Sequence, residues 1–198
     1  DIGLLNRCLE ELLTKKSTQL PVFDFVTGNR MKNTQPVTIT DSHVVIIEGL
    51  HALNPAISQT SLKEYFFKVY ISPNCEFVLD DGRVVLDGQN LRLIRRMIRD
   101  FKFRGSGPEN TFVMWKNVCN GEELYINPFR GEADYVVNST HLYEPLIYHH
   151  DLLPILKDVK ADSLYTEKAR ELVDVLELFD DLSMDIVPPD SMIREFIG

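Results

Sequence analysis

Apolar residues recur at helical spacing over residues 2–14, where Ile2, Leu4, Leu5, Cys8, Leu9, Leu12 and Leu13 are interleaved with Asn6, Arg7, Glu10 and Glu11. That spacing predicts an amphipathic helix of about three turns. From Pro21 the period changes to two: Val22, Asp24 and Val26 alternate with Phe23 and Phe25, Gly28-Asn29 marks a turn, and residues 37–40 return. A β-hairpin over 21–40 is predicted. The run from His43 to Gly49 holds four consecutive β-branched residues, Val44, Val45, Ile46 and Ile47. Such a run reads as a central parallel strand buried on both faces. Residues 66–72 and 133–138 read as two more buried strands, with a short helix end before them at 62–65.

Residues 73–90 carry no period beyond a short strand, Val84-Val85-Leu86, between the turn dipeptides Asp81-Gly82 and Asp87-Gly88. Helical spacing returns over 91–105, 111–118, 152–159 and 163–182. The last carries Tyr165, Ala169, Leu172, Val173, Leu176 and Phe179 on one stripe. Residues 121–129 read as irregular, and 188–198 as a short segment that either docks or frays. Strands alternating with helices predict an α/β fold with a mostly parallel sheet and flanking helices. A length of 198 residues predicts a single domain over 1–198.

Composition narrows the function classes. The chain is 44% hydrophobic and 26% charged with a net charge of −9, which argues against nucleic acid or an anionic membrane as the main partner. No apolar run reaches the ~18–20 residues that span a bilayer. The opening residues DIGLLNRCLEELLTKK place charges where a signal peptide needs an apolar centre, so a cytoplasmic chain is expected. The chain does not begin with Met, which points to processing or to a piece of something longer. Cys8, Cys75 and Cys119 form no CxxC pair and read as reduced thiols. None of the five His takes metal-ligand spacing, so no structural metal is expected.

Charge singles out one segment. Between Arg92 and Arg104 stand six basic residues (Arg92, Arg95, Arg96, Arg99, Lys102, Arg104) and one acid, Asp100. On a helix Arg92, Arg95, Arg96 and Arg99 share one face, within about 100°, and Leu93, Ile94, Met97, Ile98 and Phe101 the other. A row of arginines without paired acids points to a phosphate-bearing ligand, because the guanidinium fork matches phosphate oxygens in pairs. Arg95 is a candidate phosphate ligand on this ground. A solvated basic face or a dock for an acidic partner is the competing reading. Glu48 is a second candidate, since it closes the most legible strand and open α/β sheets gather ligands at the carboxyl ends of strands. A turn or capping acid is the alternative there.

These segments together resemble the uridine kinase and phosphoribulokinase family of P-loop kinases. The matching stretches are PVFDFVTGNR (21–30), VVIIEGLHAL (44–53), RLIRRMIRDFKFRG (92–105) and GEADYVVNS (131–139). The chain is more similar still to bacterial uridine kinase-like proteins with extra amino-terminal domains. It shares with them a pattern of Trp115, Val118, Gly121-Glu122, Tyr125-Ile126 and Pro128-Phe129, and the ending SMIREFIG. The resemblance implies a kinase that uses ATP and Mg²⁺ and passes the γ-phosphate to a nucleoside or similar hydroxyl acceptor. It makes the arginine helix part of a lid, the lid and the region following it covering residues 90–130, with Arg99 and Arg104 near the ATP phosphates and Arg96 near the acceptor. It sets Glu48 beside Mg²⁺ or its water, as the catalytic-site acid, and it sets Phe23, Asp24, Phe25 and Arg30 of the hairpin around the acceptor.

Two departures stand out. Phe23 and Gly28 occupy positions where uridine kinases carry a Tyr and a His, and Ser106 and Met114 stand where an Arg and a Gln also read the acceptor. Losing those polar groups removes discrimination, so uridine is not implied as the acceptor. The chain also contains no Gly-Lys dipeptide and hence no GxxxxGK[ST] loop. The resemblance makes it a carboxy-terminal part of a longer kinase, inactive alone, lacking the strand that leads into that loop and lies between 43–48 and 66–71. Those two strands are then expected to pair with each other, rearrange, or take a strand from another copy. A homo-oligomer or strand exchange is one expected outcome. Beside the enzyme stand two other readings: a nucleotide- or polyphosphate-binding module without turnover, and an interaction scaffold.

Overall fold

The structure, a computed structural model, describes residues 1–24, 27–57 and 63–198. Its first elements are α1 (Ile2–Lys15), β1 (Ser17–Asp24), β2 (Asn29–Thr38), β3 (Val69–Ser72), β4 (Phe77–Val78) and β5 (Val84–Leu86). They are followed by α2 (Gly88–Arg104), α3 (Pro108–Tyr125), β6 (Tyr135–Asn138), α4 (Glu144–Lys157), α5 (Thr166–Leu176) and α6 (Arg194–Ile197). The class is mixed α/β, as the alternation predicts. The chain forms two compact units, Asp1–Val69 with Glu123–Tyr135, and Tyr70–Glu122 with Val136–Gly198.

In the first unit, Asp1 caps α1 by accepting a hydrogen bond from the Leu4 amide at 2.9 Å. The helix ends at Lys16, whose φ of 60° turns the chain directly into β1. β1 and β2 pair antiparallel from Ser17↔Thr38 to Asp24↔Asn29, with a register shift between Pro21 and Phe23. The hairpin thus begins at Ser17 rather than Pro21. α1 packs on β1 and buries Cys8, Leu9 and Leu12. The Thr18 hydroxyl donates to Glu11 at 2.6 Å. That bond, and then Lys15, hold the Glu11 carboxyl below its usual range. Most of β2 is exposed.

The predicted strand at 43–48 is corrected: these residues have no regular structure, and Val44 and Ile46 are each 87% exposed. A β-branched run becomes a strand only where a neighbour pairs its N–H and C=O groups. No strand among the described residues does so. Nor do 43–48 pair with 66–71. Instead β3 pairs with β6. The Lys68 carbonyl accepts from the Asp134 and Tyr135 amides, and farther along the Ser72 carbonyl accepts from Ser139, so the two strands run parallel. The expected mostly parallel sheet is reduced, among the described residues, to this pair beside two antiparallel ones. Of the short helix predicted at 62–65, residues 63–65 form a 3₁₀ turn and Leu62 lies outside the described residues.

The second unit holds the larger core. The unpatterned stretch 73–90 proves to be the β4–β5 hairpin and the first turn of α2. α2 is capped by Asp87, whose side chain accepts from the Asn90 amide at 2.7 Å. Gly88 approaches the Pro73 carbonyl so closely that a Cβ would collide with it. At the other end Gly105 takes φ 60° and its N–H bonds to the Asp100 carbonyl. Leu91, Leu93, Ile94, Met97 and Ile98 of α2 are buried in one cluster with Ile147, Tyr148, Leu152, Ile155 and Leu156 of α4 and Ala169, Leu172 and Leu176 of α5. Each large side chain buried there contributes about 1.5–3 kcal/mol. α3 extends to Tyr125, through part of the stretch that reads as irregular. The segment at 188–198 docks: Ile193, Phe196 and Ile197 are buried, and α6 packs on α2.

Candidate functional site

The polar face of α2 is built by spacing alone, since burial of Leu93, Ile94, Met97 and Ile98 turns the basic residues away from the centre of the core. Its electrostatics differ from the sequence expectation. Every one of the six basic side chains has an acidic partner: Arg92 with Glu122, Arg95 with Glu144, Arg96 and Arg104 with Asp100, Arg99 with Glu195, and Lys102 with Asp151. The row without paired acids is therefore corrected. Only Asp100 is a sequence neighbour, reached at i+4 spacing on both sides. The other acids come from 30 to 96 residues away.

Arg95 is the most deeply placed. Its Nε and Nη2 donate to the two carboxylate oxygens of Glu144 at 2.7 and 2.5 Å, and Nη2 also donates to the Ser139 carbonyl at 2.7 Å. The side chains of Arg95 and Glu144 are 7% and 0% exposed. Burial works to lower the Arg95 pKa, but the Glu144 hydrogen bonds and charge outweigh it and hold the guanidinium charged. Arg95 is thus an interior cation locking α2 to the start of α4, rather than a side chain open to a phosphate. Tyr148 lies below, its hydroxyl buried without an aligned hydrogen-bond partner. Burial, and then the Glu144 charge, push its pKa up.

Arg96, Arg99 and Arg104 lie nearer the surface. Arg96 Nε is 3.1 Å from Asp100 Oδ2 but without hydrogen-bond alignment. Arg99 Nη1 donates to Glu195 at 2.8 Å, while its Nε is buried with no partner among the described residues. Arg104 Nη1 donates to Asp100 at 2.9 Å. The Arg96, Arg99 and Arg104 side chains are 25%, 26% and 51% exposed, and guanidinium groups reached from solvent have the chemistry that pairs with phosphate oxygens.

The remaining candidates lie in the first unit. Phe23 and Asp24 are on β1, opposite Arg30 and Asn29 of β2. Asp24 accepts from the Thr27 hydroxyl at 2.9 Å, and Arg30 donates to Asp1 at 2.9 Å. Phe25 lies outside the described residues. Glu48 is exposed on the irregular stretch, and no group of three His, Cys, Asp or Glu that could hold a metal occurs among the described residues. A lone exposed carboxylate does not make a Mg²⁺ site. No helix is long and apolar enough to cross a membrane among the described residues.

Comparison with known proteins agrees with the motifs. The model of the "Phosphoribulokinase / Uridine kinase family" matches residues 1–143, which include β1–β2, α2, α3 and β6. The uridine kinase of Chlamydia pneumoniae is 29% identical over 143 residues, 71% of this chain and 56% of that protein. The uridine kinase of Staphylococcus epidermidis is 27% identical over 139 residues, 69% of this chain and 58% of that protein. The mouse protein named uridine-cytidine kinase-like 1 is 28% identical over 138 residues, 69% of this chain and 22% of its own length. The chain spans little more than half the length of the bacterial relatives it matches. With the family model covering most of its residues, hairpin and basic helix included, the chain belongs to the phosphoribulokinase/uridine kinase family.

Proposed function

We propose that these residues serve a kinase that transfers the ATP γ-phosphate to a nucleoside or a similar hydroxyl compound, with α2 contacting the nucleotide phosphates. The observation that carries the reading is α2 itself. It lies within the family match, and it brings Arg96, Arg99 and Arg104 partly exposed to one segment of its surface. Arg99 and Arg104 are the side chains we assign to the phosphates and Arg96 to the acceptor side. Phe23, Asp24 and Arg30 are assigned to the acceptor, together with Phe25. ATP supplies the phosphoryl group, and positioning plus charge neutralisation is what the protein contributes in such transfers. Glu48 is assigned to the metal only together with groups from outside these residues.

The 198 residues hold no Gly-Lys and so no loop to cradle the β-phosphate; we propose that they do not turn over ATP on their own. The test is transfer of labelled γ-phosphate from ATP to a panel of nucleosides and other hydroxyl compounds, run on the longest natural chain containing these residues and on the 198 residues alone. Transfer by the first and not by the second is expected. Failure of the longest chain to label any acceptor or hydrolyse ATP overturns the enzyme reading. The altered acceptor positions, Phe23, Gly28, Ser106 and Met114, favour as a second reading a module that binds polyphosphate without turnover. Binding without transfer by that longest chain would select it.

A further inference from the structure

Residues 191–198 lie along α2 as a strip that is apolar beneath and charged at its margin. Ile193 is fully buried, and Phe196 and Ile197 nearly so. The Phe196 ring faces two guanidinium groups, with Arg95 Cζ 5.3 Å and Arg99 Cζ 5.9 Å from its centroid. At the margin Arg99 donates to Glu195, and Lys102 donates to the Ile197 carbonyl at 2.9 Å. Arg194 braces the strip from behind by donating to the carbonyls of Met184 at 3.1 Å and Gly198 at 2.9 Å.

These contacts differ in how readily they exchange. The buried anchors hold the strip in place, whereas the Arg99 and Glu195 side chains are 26% and 57% exposed. A carboxylate at such a margin can rotate into water without moving the backbone. Glu195 also leaves Arg99 incompletely used, because the buried Nε has no acceptor among the described residues. A phosphate brings three oxygens and about twice the charge, and fits the guanidinium better.

We infer that Glu195 is a built-in competitor for anions at Arg99: its carboxylate and a ligand phosphate exclude one another there, while residues 191–198 stay docked. The inference rests on α2 binding phosphate, as proposed above. Glu195 thereby lowers the affinity for polyphosphate and leaves uncharged ligands unaffected. Its position favours ligands with enough negative charge to displace it over weakly charged ones. An exposed pair of this kind is worth up to about fivefold in a binding constant.

The experiment is calorimetric titration of the 198-residue chain with sodium tripolyphosphate at low salt. The wild type, Glu195→Gln, Arg99→Gln and the double variant are compared, and folding of each is checked by circular dichroism. Glu195 is exposed, so Gln can be accommodated without disturbing the buried anchors. About fivefold tighter binding by Glu195→Gln, cancelled when Arg99→Gln is added, supports the inference. Equal binding by wild type and Glu195→Gln overturns it and leaves the phosphate reading standing. A gain that persists in the double variant also overturns it, because the effect is then one of net charge. If neither wild type nor Glu195→Gln binds, the phosphate reading of α2 falls and the competitor falls with it.

Discussion

The Glu144 carboxylate grips Arg95 with both oxygens, across 49 residues of sequence and with both side chains buried. A pair this deep is costly to bring out of water, and more costly to break than to replace. Arg95→Met leaves the Glu144 carboxylate buried without its counter-charge. It is expected to lower the free energy of unfolding by about 3–5 kcal/mol. Arg95→Met with Glu144→Leu should recover most of that loss. Urea unfolding of the three proteins checks it, and a double variant no more stable than the single one counts against the assignment.

Tyr148 sits beside this pair, and its raised pKa has a definite sign in stability. A phenol harder to ionise in the folded protein stabilises fully below its ordinary pKa of about 10 and loses that contribution as pH rises above it, because the unfolded chain ionises first. Wild-type stability should therefore fall relative to Tyr148→Phe by about 1.4 kcal/mol per pH unit above 10. Unfolding at pH 8 and at pH 11 measures the difference. A constant gap between the two proteins would rule out the buried phenol as its source.

Asp100 is nearly buried and serves two arginines, Arg96 and Arg104. Asp100→Asn keeps the shape and removes the charge. We expect a loss of about 1–3 kcal/mol in stability, together with tighter tripolyphosphate binding as two guanidinium groups lose their counter-charge. Titration and thermal unfolding of the same sample separate the effects. Weaker binding would mean that Asp100 orients the arginines rather than competing for them.

Lys16 and Gly105 take the same left-handed conformation, each at φ 60°, at the ends of α1 and α2. Only glycine adopts it without strain from a Cβ. Lys16→Gly is expected to stabilise the protein by about 0.5–1 kcal/mol and Gly105→Ala to destabilise it by about 1 kcal/mol. Nothing lies within 4 Å of a Cβ added at Gly105, so that cost is conformational alone. Melting temperatures moving in the same direction for both variants would contradict the assignment.

Elements whose pattern is local were legible from sequence. α1 and α2 show their stripes over several turns, and the hairpin shows its alternation and its Gly28-Asn29 turn. α4 is legible only from Leu152, because Pro145 and the His149-His150 pair interrupt the period over its first turns. Residues 43–48 depart from the expected strand because β-branched composition records a tendency to be buried, and burial depends on a neighbour that composition does not name. The basic face of α2 was found, but its chemistry was half visible. The i+4 partner Asp100 stands in the same segment, whereas Glu122, Glu144, Asp151 and Glu195 reach α2 only through folding. Acids that follow an apolar stripe in a later segment, as Glu195 does between Ile193 and Phe196, were the available signal.

The stretch Val44–Ile47 has one further consequence. Four β-branched residues, exposed and uncharged with no proline among them, have the composition that stacks into cross-β assemblies when copies meet. Two things oppose that stacking: the net charge of −9, which keeps copies apart, and Glu48 at the end of the run, which acts as a gatekeeper charge. The first weakens as pH approaches the isoelectric point near 5.0. Concentrated solutions should therefore stay clear at neutral pH and cloud on mild acidification, and Glu48→Gln should lower the concentration at which clouding begins.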